Sequence, residues 1–168
     1  MNTYILIGFM GSGKSTLGRM LADELMLDFL DTDSLIEKNE NMSINEIFEE
    51  KGEKAFRTLE TELVQDLSGR QNYVLSVGGG LPAIEGMMSK LNEMGTTIYL
   101  NVSQKELVRR LILDAEHRPL IKGMDQKQLE VFVNERLTVR EKFYEQAKIV
   151  LNSDHLTLDT LSNSLSIQ

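Results

Sequence analysis

Short apolar runs alternate with amphipathic stretches along the whole chain. Residues 4–7 form a continuous apolar run that ends in a Gly/Ser-rich turn, and a helical pattern follows over about residues 14–26. Phe29 and Leu30 make a brief second strand closed by Asp31-Thr32-Asp33, and helical patterns cover about 34–39, 44–50 and 53–67. A third strand at 74–77 runs into Gly78-Gly79-Gly80, a helix follows near 83–93, and a fourth strand spans 97–102. Ser103 caps a helix to about residue 113, with Glu106 in the capping-box position. Asp125 opens a long helix to about residue 146, and a strand at 149–151 and a helix at 158–165 complete the pattern. Strands with continuous rather than alternating apolar residues are buried on both faces, and helices between them make the sheet parallel. The expected fold is therefore α/β, a parallel sheet covered on each side. In such folds ligands sit at the carboxyl ends of the strands. Three unusual clusters fall there: the glycine turn after the first strand, Asp31 and Asp33 after the second, and Gly78 to Gly80 after the third.

A chain of 168 residues suits one domain, and 41% apolar content supplies a core for it. The net charge of −8 weighs against nucleic acid and membrane surfaces as partners, since both call for a basic excess. It leaves phosphate ligands open, because a site can be locally positive. Cysteine is absent, so disulfides, zinc–thiolate sites and thiol catalysis are excluded. Two histidines, His117 and His155, leave little for a histidine metal cluster. The apolar run at 4–7 is far below the ~18 residues of a membrane span. The N-terminus lacks the basic and then apolar pattern of an export signal, so the cytosol is the expected compartment.

Gly8-Phe9-Met10-Gly11-Ser12-Gly13-Lys14-Ser15 fits the pattern G-x-x-x-x-G-K-S/T. Its glycines let the backbone curl so that successive N–H groups point at one anion, and a helix opening near Lys14 adds its positive end. Lys14 supplies charge to the β- and γ-phosphates of a nucleotide, and Ser15 offers a hydroxyl to Mg2+. A dinucleotide-binding turn would need glycine at position 16, where Thr16 stands. Asp66-Leu67-Ser68-Gly69 has the letters of a GTPase switch but ends a polar helix, and no N-K-x-D motif accompanies it.

Asp31 and Asp33 lie two apart in extended chain, so both can face the crevice. One could hold Mg2+ through water and the other accept a proton from an attacking hydroxyl; Asp33 would equally serve as a helix N-cap. Ser76 occupies the strand position where this class often carries a Mg2+-binding aspartate, which shifts weight to Asp31. Leu129, Phe132, Val133, Val139 and Phe143 form a helical stripe that contains Arg136, and a charge on a core-facing stripe needs a partner or a ligand. Arg57 has Glu60 within i,i+3 reach, which could orient its guanidinium. Two such arginines suit a bidentate grip on a small carboxylate, or else structural ion pairs. Arg118, before Pro119 in the polar stretch 114–123, has the usual form of a lid that closes on a transferring phosphate, with Gly123 as a hinge; a solvated surface loop is the alternative.

Together these residues resemble the shikimate kinase family. The match runs from Ile5 to about Arg140: the glycine-rich run with Gly18-Arg19 after it, Asp31-Thr32-Asp33, Phe56-Arg57 with Glu60, Gly78-Gly79-Gly80, Arg118-Pro119-Leu120, and Arg136. Many kinases share the first motif, whereas the order of the others is selective. The resemblance implies a three-layer αβα P-loop kinase fold with a five-stranded parallel sheet in the order 2-3-1-4-5. It implies substrate-binding helices at about 34–67, a mobile lid at about 114–123 and one domain over 1–168. It also implies that a monomer transfers the γ-phosphate of ATP, with Mg2+, to the 3-hydroxyl of shikimate on the way to chorismate and the aromatic amino acids. Carried over, Asp33 looks like the base that binds the shikimate hydroxyls. Arg57, Arg136, Gly79 and Gly80 look like the rest of that pocket, with Glu60 beside Arg57 and Phe48 and Phe56 as walls. Lys14 and Arg118 look like the stabilisers of the moving phosphoryl group, and Ser15 and Asp31 like the Mg2+ shell. Gly11, Ser12, Gly13, Lys14, Ser15 and Thr16 look like the nucleotide cradle, with Arg110 (or its neighbour Arg109) on the adenine and residues 152–155 opposite. Other readings of the same fold are a gluconate- or nucleotide-type kinase and a silent nucleotide-binding module.

Overall fold

The computed structural model describes residues 2–115 and 118–166, so Glu116 and His117 of the expected lid lie outside the described residues. In chain order the elements are β1 (Tyr4–Ile7), α1 (Lys14–Leu25), β2 (Asp28–Asp31), α2 (Thr32–Glu40), α3 (Ile44–Leu67), β3 (Tyr73–Ser76), α4 (Met87–Met94), β4 (Thr96–Asn101), α5 (Gln104–Leu113), α6 (Gln126–Tyr144), β5 (Ile149–Asn152) and α7 (Leu158–Ser166). The strands pair in the order β2-β3-β1-β4-β5, every pair parallel, as expected.

The continuous apolar strands are indeed buried on both faces. Ile5 and Ile7 of β1 join one core with residues of α3, α4, α5 and α6, while Leu6 between them joins a second core with α1 and α7. The same alternation sends Leu75 and Tyr99 to the first core and Val74, Ile98 and Leu100 to the second. Helices thus cover both sides of the sheet. The edge strands β2 and β5 are only partly covered. Among the described residues no helix is long and apolar enough to cross a membrane.

Four local expectations need revision or refinement. The helix expected near 83–93 starts only at Met87. Leu81 to Ala83, with Pro82 in its first turn, make a short 3-10 turn, and Gly86 at φ 75° caps α4. The patterns at 44–50 and 53–67 form one run broken at Gly52, whose φ of 80° and ψ of 169° are not helical. Ser103 caps α5 by accepting from the Glu106 N–H at 3.3 Å, but Glu106 does not complete the box. Its carboxylate accepts from Arg109 and Arg110 instead, and Asp154 accepts from the Ser103 N–H at 2.8 Å in its place. The N-cap of α2 is Asp31, which accepts from the N–H groups of Asp33 and Ser34; Asp33 is not a cap.

Helix α1 crosses the sheet closely at Gly18. A Cβ added there would meet Phe29 Cε2 at 2.8 Å and Leu6 Cδ1 at 2.9 Å, and Leu6 is fully buried. Gly18→Ala gains helix propensity of up to ~1 kcal/mol but overpacks this contact by about 1–3 kcal/mol. The overpacking should win, and a lower urea midpoint for the variant would show it. A higher midpoint would mean that α1 can lift off the sheet freely.

Candidate active site

The cradle between β1 and α1 is built as its sequence requires. Gly11 at φ 81° and Gly13 at φ 95° take left-handed conformations that side chains disfavour, and Gly13 caps α1 without a side chain in the way. The N-terminal turn of α1 thus opens onto the crevice with its positive end. Lys14 is almost wholly buried, and its ammonium donates to the carbonyls of Gly8 and Phe9, both at 2.9 Å. Burial lowers its pKa to about 8, against the pull of Asp33 and then Asp31, which favour its charge.

Ser15 donates to Asp31 Oδ2 at 2.9 Å and lies 3.2 Å from the Ser76 hydroxyl. Asp31 therefore spends one oxygen on Ser15 and the other on the cap of α2. Thr32, which the sequence did not single out, is fully buried and accepts from the Gly78 N–H at 2.9 Å, tying the end of β2 to the glycine turn after β3. Asp33 Oδ1 is buried without a hydrogen-bond partner among the described residues, and so is Glu60 Oε1. The two oxygens converge. A Cβ added to Gly78 would stand 2.8 Å from Asp33 Oδ1 and 3.0 Å from Glu60 Oε1. Burial, and next the Asp31 charge, push the Asp33 carboxyl up, while Lys14 pulls it down.

Arg57 is held as its spacing suggested, donating to Glu60 at 2.6 Å and to Glu53 at 3.1 Å. Burial alone would lower its pKa, but the two glutamates raise it. Glu60 is pushed up to about 7 by burial, against the pull of Arg57. Phe48 and Phe56 stack tilted with centroids 4.7 Å apart. At the other end, Arg110 Nη1 donates to the Gly11 carbonyl at 3.2 Å and Nη2 to the Asp154 carbonyl at 2.7 Å. Arg109 points outward, its side chain 62% exposed and paired with Glu106. Arg118 donates to Asp114 at 2.6 Å.

One cavity of about 1110 Å³ joins these parts. It is lined by Gly11, Ser12, Gly13, Lys14, Ser15, Thr16, Asp31, Asp33, Phe48, Phe56, Arg57, Glu60, Gly79, Gly80, Arg110 and Arg118. Two sequence-based placements differ. Arg136 is exposed, over the ring of Phe132 at 4.3 Å, and does not border the cavity. Arg140, one helical turn on, borders it instead, with Phe9 beneath its guanidinium. The stripe containing Arg136 is buried only in part: Leu129 and Val133 are buried but Val139 is 60% exposed, and the buried line continues to Tyr144 instead. Arg140 sits four before Tyr144, and that aromatic was the available signal. Opposite Arg110, residues 156–158 rather than 152–155 line the cavity.

The chain matches the family model described as shikimate kinase over residues 10–166. A shikimate kinase of Parabacteroides distasonis is 36% identical over 169 residues, which span 98% of each chain. The solved shikimate kinase of Bacteroides thetaiotaomicron has a TM-score of 0.90 at 35% identity, covering 99% of this chain and 95% of its own. A structure of the Acinetobacter baumannii shikimate kinase in complex with shikimate has a TM-score of 0.85 at 31% identity, covering 99% and 90%.

The buried Glu60 carboxyl has a consequence for stability. Its pKa in the folded chain stands near 7 instead of 4.5, so its contribution is full below about pH 4.5 and is lost as pH rises through about 7. Glu60→Gln lacks this loss. The melting temperature of the variant relative to wild type should therefore rise between about pH 5 and pH 8, whatever its absolute level. A difference that stays flat across that range would show Glu60 ionising as it does in water.

Proposed function

The chain belongs to the shikimate kinase family, and from that membership we propose how its cavity is divided between two substrates. The protein is an ATP-dependent kinase that transfers the γ-phosphate of ATP to the 3-hydroxyl of shikimate, giving shikimate 3-phosphate and ADP in aromatic amino-acid biosynthesis. The gluconate- and nucleotide-type readings, and the silent module, fall away with this assignment. One observation carries the division of the site: a single cavity has the phosphate cradle and Arg110 at one end and Asp33, Arg57, Gly79, Gly80 and Arg140 at the other.

In this reading the residues Gly11 to Thr16 take the phosphates, and Arg110 takes the adenine. Arg57 and Arg140 hold the shikimate carboxylate, Phe48 and Phe56 wall the ring, and Glu60 keeps Arg57 in orientation. Asp33 binds the ring hydroxyls. The 3-hydroxyl oxygen attacks the γ-phosphorus, the bond from that phosphorus to the β,γ-bridging oxygen breaks, and the hydroxyl proton passes to the Asp33 carboxylate. Lys14 and Arg118 stabilise the charge on the moving group. Most of the catalysis comes from positioning and from fixed charge in a dry site.

The donor set at Ser15 and Asp31 suits Mg2+. Two hydroxyls and a carboxylate are hard oxygen ligands, and one carboxylate is enough where substrate phosphates complete the shell. When bound there, the ion would neutralise phosphate charge. The segment 114–123 acts as the lid, carrying Arg118, and the helices over 34–67 form the acceptor-binding side. The chain is read as a monomer acting in the cytosol.

A coupled ADP-release assay tests the whole assignment: release should depend on shikimate, and release without it would sink the reading. Asp33→Asn should lower turnover by ~10²–10⁴-fold with the circular dichroism unchanged. Near-normal turnover would remove Asp33 from the proton transfer. Arg140→Ala should raise the shikimate KM about 10- to 100-fold and leave the ATP KM within about twofold, while Arg136→Ala stays close to wild type. The opposite ranking would return the carboxylate to Arg136.

A further inference from the structure

Gly78 to Leu81 form a tight turn, closed by the Leu81 N–H donating to the Gly78 carbonyl at 3.0 Å. Gly79 and Gly80 are its two central residues. Reversing the peptide between the central residues is what converts a type I turn into type II. Gly80 stands at φ −88° and ψ −21°, the type I geometry for its position. Glycine there has no steric reason to remain, because it enters the positive φ of type II freely. The local sequence therefore leaves the orientation of the Gly79–Gly80 peptide open, and a contact from outside the turn has to set it.

That contact comes from α6. The Tyr144 hydroxyl donates to the Gly79 carbonyl at 2.5 Å, and its fully buried ring lies against Tyr99 with centroids 5.1 Å apart. In a trans peptide the C=O and the N–H point opposite ways. With the Gly79 carbonyl held against Tyr144 in the core, the Gly80 N–H is turned away from it. Gly80 borders the cavity on that other side, packed against the Arg57 guanidinium. A reversed peptide would set a carbonyl oxygen where the N–H stood and so repel an anion.

We propose that Tyr144 is a positioning residue for the acceptor: its hydroxyl holds the Gly79–Gly80 peptide so that the Gly80 N–H faces the shikimate end of the cavity, in register with Arg140 one turn before it. This rests on the assignment of that end to shikimate. Burial pushes the Tyr144 pKa up to about 12, so the hydroxyl remains a donor throughout the neutral range.

Tyr144→Phe keeps the ring and removes the hydroxyl, and with it both the donation to Gly79 and the hydrogen bond from Arg140, so the Gly80 amide reports on the clamp separately from the KM. The shikimate KM should rise about five- to tenfold, the worth of one hydrogen bond, while the ATP KM stays within about twofold. In protein made with isotopically labelled glycine, the Gly80 amide resonance should shift or broaden by exchange in the variant. An unchanged resonance overturns the clamp. A changed resonance with an unchanged shikimate KM overturns the positioning role, and so does an equal loss toward both substrates. Wild-type protein without shikimate-dependent ADP release would sink the functional assignment instead, and the Gly80 resonance would still decide the clamp.

Discussion

A lysine ammonium taken out of water beside two aspartates is the interaction on which this site is built. Lys14 is nearly inaccessible, and desolvation lowers its pKa to about 8. Two carbonyls of its own loop and the charges of Asp31 and Asp33 keep its proton in place. The arrangement needs the end of β2 to lie near the turn after β1, although β3 runs between them. The register accounts for how it does so. Ser76 ends β3 opposite Asp31 on one side and Leu6 on the other. A small hydroxyl at that point lets Ser15 reach Asp31 across it. A bulky residue at 76 would separate the carboxylate from the cradle.

From that cation the charges alternate outward, and each shifts the next. Asp33 faces Lys14 on one side and approaches Glu60 across Gly78 on the other; Glu60 in turn holds Arg57. Two buried carboxylates whose oxygens lack partners among the described residues come this close because cations flank the pair and burial pushes the Glu60 carboxyl up to about 7. The absence of a side chain at Gly78 permits the approach, and the Thr32 hydroxyl fixes the glycine by taking its N–H. On the proposed assignment, the acceptor end is thus held by interactions that reach back to the nucleotide end.

Much of this was readable beforehand, for identifiable reasons. The cradle, the strand pattern and the glycine turn are local: spacing and residue type specify them, and the observed sheet follows. Arg136 was misplaced because an apolar stripe says which residues share a helical face, not which of them along it are buried. In α6 the buried line runs through Leu129, Val133 and Tyr144, with Arg140 beside it, while Val139 is exposed. Glu106 was misjudged for a related reason. A capping box is a contest for one carboxylate, and two arginines outbid the backbone N–H, which Asp154 then took from across the fold. Tertiary partners of this kind leave no trace in local spacing.

The cavity cations differ in what binding would ask of them. A chain of net charge −8 gathers Lys14, Arg57, Arg110, Arg118 and Arg140 around one space. Arg57 is already paired with Glu60 and Glu53, Arg110 with Glu106, and Arg118 with Asp114. Lys14 is satisfied by carbonyls. Arg140 rests on the face of Phe9 and has no carboxylate within ion-pair distance among the described residues. A substrate carboxylate meeting Arg57 must share it with two glutamates, and gains little beyond orientation. At Arg140 it meets a half-buried guanidinium with no carboxylate to displace, only its hydrogen bond to the Tyr144 hydroxyl, so a charge-assisted hydrogen bond gains more there. On the proposed assignment the two arginines therefore divide the work: Arg57 sets the direction of the acceptor, and Arg140 supplies most of its affinity.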